Sequence, residues 1–148
     1  MDHPIRPRTE TQCLAGYTII NGVKAYTLFD TGSNTDAISN IFAWVSRVPI
    51  YELEKPATLA LGCIGSKSKI NYGTIAQIEC DRENSEEYFD ITNLAQYDAI
   101  LGIPYMYKHD IMLDVKRREL VFRGKHRVPA LPVDMSSGAA MRESTKSR

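Results

Sequence analysis

A strand–turn–strand pattern near the N-terminus constrains the fold of this chain more than any other feature. Two segments rich in β-branched and aromatic residues, Tyr17–Ile20 and Val23–Phe29, are separated by the dipeptide Asn21-Gly22. Asn-Gly favours the positive φ angles of a two-residue hairpin turn, so these segments predict an antiparallel hairpin. A folded region that starts in this way is expected to consist mainly of β-strands.

The segments that follow have the same β character. Within Ile70–Ile78, side chains alternate in a manner typical of a strand with one buried face. Pro104–Lys108 is compatible with a short helix, because Pro is tolerated in a first turn. About eight short strands and at most two short helices predict an all-β fold, for which a closed or nearly closed barrel is the simplest architecture. The other predicted strands are Thr58–Leu61, Tyr88–Leu94 and Asp98–Leu101, with a last hairpin of Ile111–Val115 and Leu120–Phe122.

Length and composition indicate one folded domain with two less structured ends. The chain has 148 residues, of which 43% are hydrophobic and 24% charged, close to the average of globular domains. Pro4 and Pro7 oppose a helix in residues 1–13, which we expect to be an extended N-terminal segment. We expect the globular domain over residues 14–128 and a flexible tail, rich in Pro, Ser, Gly and Ala, over residues 129–148.

The charge balance argues against a nucleic-acid-binding surface on the folded domain. Eighteen Lys and Arg residues offset eighteen Asp and Glu residues, so the basic excess typical of phosphate-binding proteins is missing. No apolar run approaches the ~20 residues that span a bilayer. Cys13, Cys63 and Cys80 match no zinc-binding spacing, which favours reduced thiols and no bound metal.

One short motif carries recognisable chemistry. It is Phe29-Asp30-Thr31-Gly32-Ser33, at the end of the predicted hairpin. Asp and Gly are common turn residues, so the motif alone is also compatible with a turn that ends a strand.

Two later segments strengthen a functional interpretation of this motif. A loop over residues 62–69, which contains two glycines, connects two predicted strands and indicates a long hairpin with a mobile tip. Further along, the apolar run Ala99-Ile100-Leu101 is closed by Gly102.

This order of motifs resembles the retropepsin-type aspartic proteases, and most of all those of gypsy-type LTR retrotransposon polyproteins. The resemblance covers residues 14–122 and implies a closed β-barrel with a flap hairpin, one or two short helices and one lobe per chain. It implies aspartic endopeptidase activity on a Gag-Pol-like polyprotein, with no cofactor and no membrane. It also implies an intracellular site of action, in the cytoplasm or in a virus-like particle.

The resemblance assigns roles to individual residues. Asp30 would be the catalytic acid, Thr31 would join a hydroxyl network between subunits, and Gly32 would let substrate approach the backbone. The catalytic loop would be supported by Ser33, Ile100, Leu101 and Gly102. The flap would be formed by Gly62, Cys63, Ile64 and Gly65. Substrate pockets would be lined by Leu28, Ala60 and Ile64.

A single Asp-Thr-Gly motif has a consequence for assembly. Hydrolysis by this route needs two carboxylates around one water, one ionised as the base and one protonated as the acid. The chain has one such motif and a folded region too short for two lobes, so we expect a C2 homodimer in which each subunit contributes Asp30. Such a pair shares a proton, and its titration belongs to the pair.

Two positions depart from the retroviral pattern and leave alternatives open. Asn34 and Ile103 stand where retroviral members carry an Asp and an Arg, so the intersubunit ion pair of those members is not expected. A catalytically inactive or domesticated domain used for dimerisation or binding is therefore a second hypothesis. A third is a β-barrel adaptor in which Asp30 only caps a turn and is exposed. Trp44 and Tyr107 are interpreted as packing residues.

Overall fold

The first hairpin forms as the Asn-Gly dipeptide predicts. In the computed structural model, which describes residues 1–7, 11–61 and 66–132, β1 (Ala15–Ile20) pairs antiparallel with β2 (Val23–Phe29). Asn21 and Gly22 have φ angles of 50° and 80°, the left-handed conformation that this turn requires. The tight turn fixes the register of the two strands and so determines where β2 ends.

The two strands of this hairpin and four later strands close into a six-stranded barrel. β2 pairs parallel with β7 (Ala99–Leu101), which pairs with β3 (Ala37–Ser39). β3 pairs parallel with β6 (Glu83–Thr92), and β6 pairs antiparallel with β5 (Ser66–Cys80). β5 then returns to β1 and closes the ring. The prediction of a closed all-β barrel is confirmed.

A long hairpin extends from the barrel on the β5 side. β4 (Tyr51–Leu61) pairs antiparallel with β5, from Tyr51 opposite Gly73 to Leu61 opposite Ser66. Both strands are longer than the sequence predicts. The pairing of β4 with β5 shifts register between Glu52 and Ala57 and continues on both sides of this shift. The connecting residues 62–65 lie outside the described residues, and so do residues 133–148 of the predicted tail.

A small second sheet follows the barrel. The helix α2 (Ile103–Lys108) leads from β7 into the antiparallel strands β8 (Ile111–Asp114), β9 (Glu119–Phe122) and β10 (His126–Pro129). Behind β10 the chain continues along the barrel, and the Leu131 amide donates to the Ala15 carbonyl at 2.8 Å. The division at residue 128 stays a prediction.

Alternation along β2 and β7 separates the apolar side chains into two clusters. Phe29 and Leu101 belong to the larger cluster, which also includes buried residues of the two short helices. Leu28 and Ile100 belong to a second cluster with Ala37. Neighbouring residues of a strand point to opposite faces. The last residues of β2 and β7 therefore contribute to both clusters, directly before the chain leaves β2.

Two aromatic residues expected in the core are exposed instead. The helix α1 (Asn40–Ser46) begins after its N-cap Ser39 and buries Phe42 and Ala43 on one face. Trp44 is 79% exposed, and Tyr107 on α2 is 87% exposed. The packing interpretation of both residues was wrong, because these helices are too short to cover more than one face. Among the described residues, no helix is long and apolar enough to cross a bilayer.

Candidate active site

Asp30 follows β2 directly and is anchored by backbone hydrogen bonds. Its amide donates to the Leu101 carbonyl at 2.9 Å, and its own carbonyl accepts from the Ser33 amide at 3.1 Å. The Gly32 amide donates to Asp30 Oδ1 at 2.8 Å. Asp30 is only 4% exposed, whereas an adaptor with a turn-capping acid requires an exposed Asp30. That third hypothesis is therefore wrong.

The loop over residues 30–35, here called the Asp30 loop, rests on Gly102. The Ile103 amide donates to the Ser33 carbonyl at 2.9 Å. A Cβ atom at Gly102 would lie 2.3 Å from the Thr35 carbonyl oxygen and 2.6 Å from the Ser33 carbonyl oxygen. Only glycine permits this close approach, so the apolar run that ends in Gly102 does lie against the loop.

A buried acid, Asp36, connects the Asp30 loop to α2. Its Oδ1 accepts from the amides of Gly102 and Tyr105, at 2.9 and 3.3 Å. These amides belong to the N-terminal turn of α2, where unpaired donors favour a negative charge. Burial raises the pKa of Asp36 to about 6, although both amides oppose the rise, and the charges of Glu87 and Asp90 add to it. Sequence reasoning missed Asp36, because no local motif distinguishes it from a turn residue.

A second polar group fixes the far end of the Asp30 loop. Thr35 Oγ1 donates to Asp90 Oδ2 at 2.9 Å, and the Tyr88 hydroxyl donates to Asp90 Oδ1 at 2.6 Å. The Asp90 amide donates to the Asp36 carbonyl at 2.9 Å. Burial, reinforced by Asp90, raises the pKa of the Tyr88 phenol. These contacts connect the loop to β6.

The residues expected to line substrate pockets fall into two groups. Leu28, expected to line a pocket, is fully buried in the second apolar cluster, and so is Ile100, which was expected to support the catalytic loop. Leu28 therefore packs inside the subunit and does not line the cavity beside Asp30. The side chain of Ala60 is not described, and the predicted flap residues Gly62, Cys63, Ile64 and Gly65 lie outside the described residues.

Tyr97 is a buried tyrosine whose phenol is influenced by the charge of Asp30, and the sequence carried no signal for it. Its ring stacks on Tyr26 with the ring centroids 5.2 Å apart. Burial raises the pKa of the Tyr97 phenol, a hydrogen bond with the Gln12 side chain lowers it, and the charge of Asp30 raises it. The charge of Asp30 therefore acts on the Tyr97 phenol.

Two open grooves meet at Thr31. The first has a volume of about 230 Å³, less than the roughly 300–1,000 Å³ of typical ligand pockets. The second groove lies along α2. The first is lined by Thr11, Gln12, Cys13, Leu14, Phe29, Asp30, Thr31, Leu113 and Val115, and the second by Thr31, Ile103, Met106, Tyr107, Asp110 and Ile111.

Of the two described cysteines, Cys13 departs from the expectation of reduced thiols and Cys80 agrees with it. Cys13, which lines the first groove, is disulfide-bonded. Cys80 is a buried free thiol. Burial raises the pKa of the Cys80 thiol to about 12, so it is not ionised at neutral pH and behaves as a packing residue.

Comparison with known proteins agrees with this geometry. Residues 7–127 match the family model for the retroviral aspartyl protease. The structure is similar to the retroviral protease-like domain of Ddi1 from Leishmania major, with a TM-score of 0.61 and 19% identity, covering 82% of this chain and 96% of that chain. It is also similar to EIAV protease complexed with the inhibitor HBY-793, with a TM-score of 0.54 and 14% identity, covering 66% of this chain and 88% of that chain.

The family membership of the chain is shown by the family model and not by overall sequence identity. No sequence among the curated proteins matches this chain significantly, and identities below 20% to the solved structures support the fold alone. The family model, in contrast, spans the barrel, the Asp30 loop, α2 and most of the second sheet. The chain is therefore a member of the retroviral aspartyl protease family, with a retropepsin-like fold.

Proposed function

We propose that this protein is an aspartic endopeptidase whose active site forms where the Asp30 carboxylates of two subunits meet. The observation that carries the proposal is the position of Asp30. It is held by backbone hydrogen bonds at the end of a barrel strand, in a loop whose Thr31 borders two open grooves.

The chemistry follows from a pair of carboxylates around one water. The ionised Asp30 removes a proton from the water, whose oxygen attacks the carbonyl carbon of the peptide bond. The protonated Asp30 of the other subunit donates its proton to the carbonyl oxygen. When the tetrahedral intermediate collapses, the C–N bond breaks and the amine leaves with a proton. Two carboxyl groups ~3 Å apart do not both ionise, because their negative charges would repel each other, so one proton stays on the pair.

Within the described residues, the other buried Asp side chains near the loop have structural partners. Asp36 accepts from the first turn of α2, and Asp90 accepts from Thr35 and Tyr88. Asp98 Oδ2 accepts from the Tyr26 amide at 2.9 Å. Each of these acids serves as a fixed acceptor, which supports a second subunit as the source of the second catalytic carboxylate.

The surface around Thr31 suits contact with a second copy of the chain. Large apolar side chains on α2 and the second sheet are exposed beside the two grooves, and a homodimer would bury them. No charged residue stands at position 103, so this contact replaces the ion pair of retroviral members with apolar packing. The exposed apolar side chains that line these grooves are Ile103, Tyr107 and Val115, with exposures of 52%, 87% and 68%.

This surface predicts the effect of a charge on α2. In Tyr107→Lys, a cation replaces an aromatic ring at the dimer contact, so self-association should weaken at least about tenfold. Sedimentation equilibrium measures this change. Trp44→Lys is the matched control, because Trp44 is similarly exposed but lies on α1, outside the proposed contact. Equal association constants for both variants and the wild type would exclude the proposed surface.

The proposed substrate is an extended segment of a Gag-Pol-like polyprotein, bound as a strand between the Asp30 loops and the β4–β5 hairpins. The β4–β5 hairpin, paired as far as Leu61 opposite Ser66, is the proposed flap. An intracellular site of action, in the cytoplasm or a virus-like particle, belongs to the same proposal.

A direct assay tests the activity. The purified protein is incubated with a diverse mixture of peptides between pH 4 and pH 7, and the products are identified by mass spectrometry. We expect new termini that accumulate with the wild type and are missing with Asp30→Asn. Cleavage that persists in the variant would contradict the assignment of Asp30.

The second hypothesis, an inactive domain used for dimerisation or binding, is favoured by Asn34 and Ile103, which depart from the retroviral pattern. It predicts a protein that cleaves no peptide over the same pH range yet folds as the barrel. The peptide assay and the measured mass in solution together distinguish the two functions.

A further inference from the structure

The short helix α2 supports the Asp30 loop and carries a protonatable contact at each end. At its start, the Ile103 amide donates to the Ser33 carbonyl and Asp36 accepts from the first turn. At its end, His109 lies between two glutamates of β6. We propose that α2 is a proton-dependent support that holds the Asp30 loop most stably in mild acid, because a proton removes a buried charge at one end and completes a pair of hydrogen bonds at the other.

The contact at the N-terminal end tolerates a proton. The Gly102 and Tyr105 amides both donate to the same oxygen, Oδ1 of Asp36. A proton on Oδ2 therefore leaves both hydrogen bonds in place and removes a buried charge. Asp36 has a pKa of about 6 in the folded protein and 3.8 when solvated, so its folded form binds protons more strongly. The resulting stability is fully present below pH 3.8 and is lost as the pH rises through 6.

The contact at the C-terminal end requires a proton. His109 is 7% exposed, with Nδ1 at 2.7 Å from Glu83 Oε2 and Nε2 at 2.9 Å from Glu87 Oε2. A neutral imidazole has one N–H and donates to only one carboxylate, whereas the imidazolium donates to both. The ring also packs against Tyr105, with the ring centroids 4.2 Å apart, so the protonated ring connects α2 to β6 most completely.

Charged groups from three elements surround His109. On its own helix, Lys108 Nζ lies 3.0 Å from Glu87. From the second sheet side, Arg123 binds Glu83 at 2.8 Å and Asp81 at 3.3 Å. Asp81 also accepts from His126 at 2.8 Å. Each glutamate that contacts His109 therefore also binds a basic side chain, Glu87 that of Lys108 and Glu83 that of Arg123. The two glutamates are the direct partners of the His109 ring.

Glu87 connects the two ends electrostatically. It binds His109 directly, and its negative charge is one of the causes that raise the pKa of Asp36. Desolvation opposes the ionisation of Glu87, but hydrogen bonds from Ser85, His109 and Lys108 outweigh it and lower the pKa of this carboxyl, so it stays ionised in mild acid. Both ends of α2 therefore respond to acid in the same direction, and this inference stands whether or not Asp30 is catalytic.

Amide hydrogen exchange of the full chain tests the proposal without reference to activity. The reporters are the Met106 and His109 amides, which donate to the Gly102 and Tyr105 carbonyls. After correction for intrinsic exchange rates, their protection should rise at least about tenfold from pH 8 to pH 5, the factor that the two pKa values of Asp36 alone imply. Protection that is constant or falls in acid would overturn the proposal.

Three variants separate the contributions. Asp36→Asn keeps a carbonyl oxygen for both amides and carries no charge, so its protection at pH 8 should exceed that of the wild type at pH 8, and most of the rise towards pH 5 should be lost. His109→Gln lacks the two ring nitrogens that contact Glu83 and Glu87, so its protection at pH 5 should be lower than that of the wild type. His126→Gln is the matched control, because His126 pairs with Asp81 outside α2, and it should keep the wild-type dependence. An Asp36→Asn protein that retains the full dependence would overturn the role of Asp36.

A titration of the wild type removes any reliance on variants that fold poorly. The side-chain carboxyl carbon of Asp36 is followed by NMR between pH 3 and pH 8. A midpoint near 6 is expected, and a midpoint near 3.8 would contradict the proposal even if every variant failed to fold.

Discussion

Asp30→Asn should abolish peptide cleavage while leaving the barrel intact. The substitution removes the base and the acid from both halves of the shared site, so the rate should fall by at least about 10⁴-fold, the upper end for general acid–base catalysis. The asparagine carbonyl still accepts from the Gly32 amide, as Asp30 Oδ1 does at 2.8 Å. The free energy of unfolding should therefore change by less than about 1 kcal/mol.

A matched substitution separates catalysis from structure. Asp98 is equally buried and also accepts from a backbone amide, that of Tyr26. Asp98→Asn keeps that acceptor and should retain cleavage at a rate close to that of the wild type. Initial rates on a cleaved peptide, together with urea unfolding of both variants, give the comparison. An active Asp30→Asn protein, or equal losses in both variants, would contradict the role of Asp30.

Gly102→Ala should have the largest effect on stability. The added Cβ atom would meet the carbonyl oxygens of Thr35 and Ser33 at 2.3 and 2.6 Å. Both obstacles are backbone atoms of the Asp30 loop and cannot rotate away as a side chain can, so α2 and the loop must separate. We expect a loss of about 3 kcal/mol or more in the free energy of unfolding, at or above the upper end for overpacking.

The control for this substitution is another glycine with a different constraint. Gly124 has a φ of 70°, but a Cβ atom added there would meet nothing within 4 Å. Gly124→Ala should therefore cost only about 1–2 kcal/mol, the strain of a left-handed backbone. Chemical denaturation at neutral pH measures both values. Losses of equal size would show that crowding against the Asp30 loop has no special cost.

Local sequence patterns predicted the elements whose cause is local. Asn21-Gly22 determines its own turn, and the hairpin it forms leads into Asp30. The strand β3 has only three residues and was missed, because it exists through pairing with β6 and β7. The short helix α1 and the strand β10 were missed for a different reason, because neither is long enough to show a period.

The residues that support the candidate site could not be predicted from the sequence, because their contacts join distant parts of the chain. Asp36, Asp90 and His109 act across long chain separations, with partners that only the closed barrel brings together. Nothing in their immediate sequence distinguishes them from surface acids or a helix-terminal histidine. Tyr107 was misassigned because a large apolar side chain has the same sequence signature whether it is exposed or buried in a core.

Subunit mixing tests the shared active site most directly. Wild-type protein and Asp30→Asn are combined in equal amounts at constant total concentration, and the subunits are allowed to exchange fully before cleavage is measured. If each site needs Asp30 from both chains, only wild-type pairs are active, and the rate falls to about one quarter of the all-wild-type value. A rate of about one half would mean that each chain acts alone, and it would contradict the paired-carboxylate mechanism.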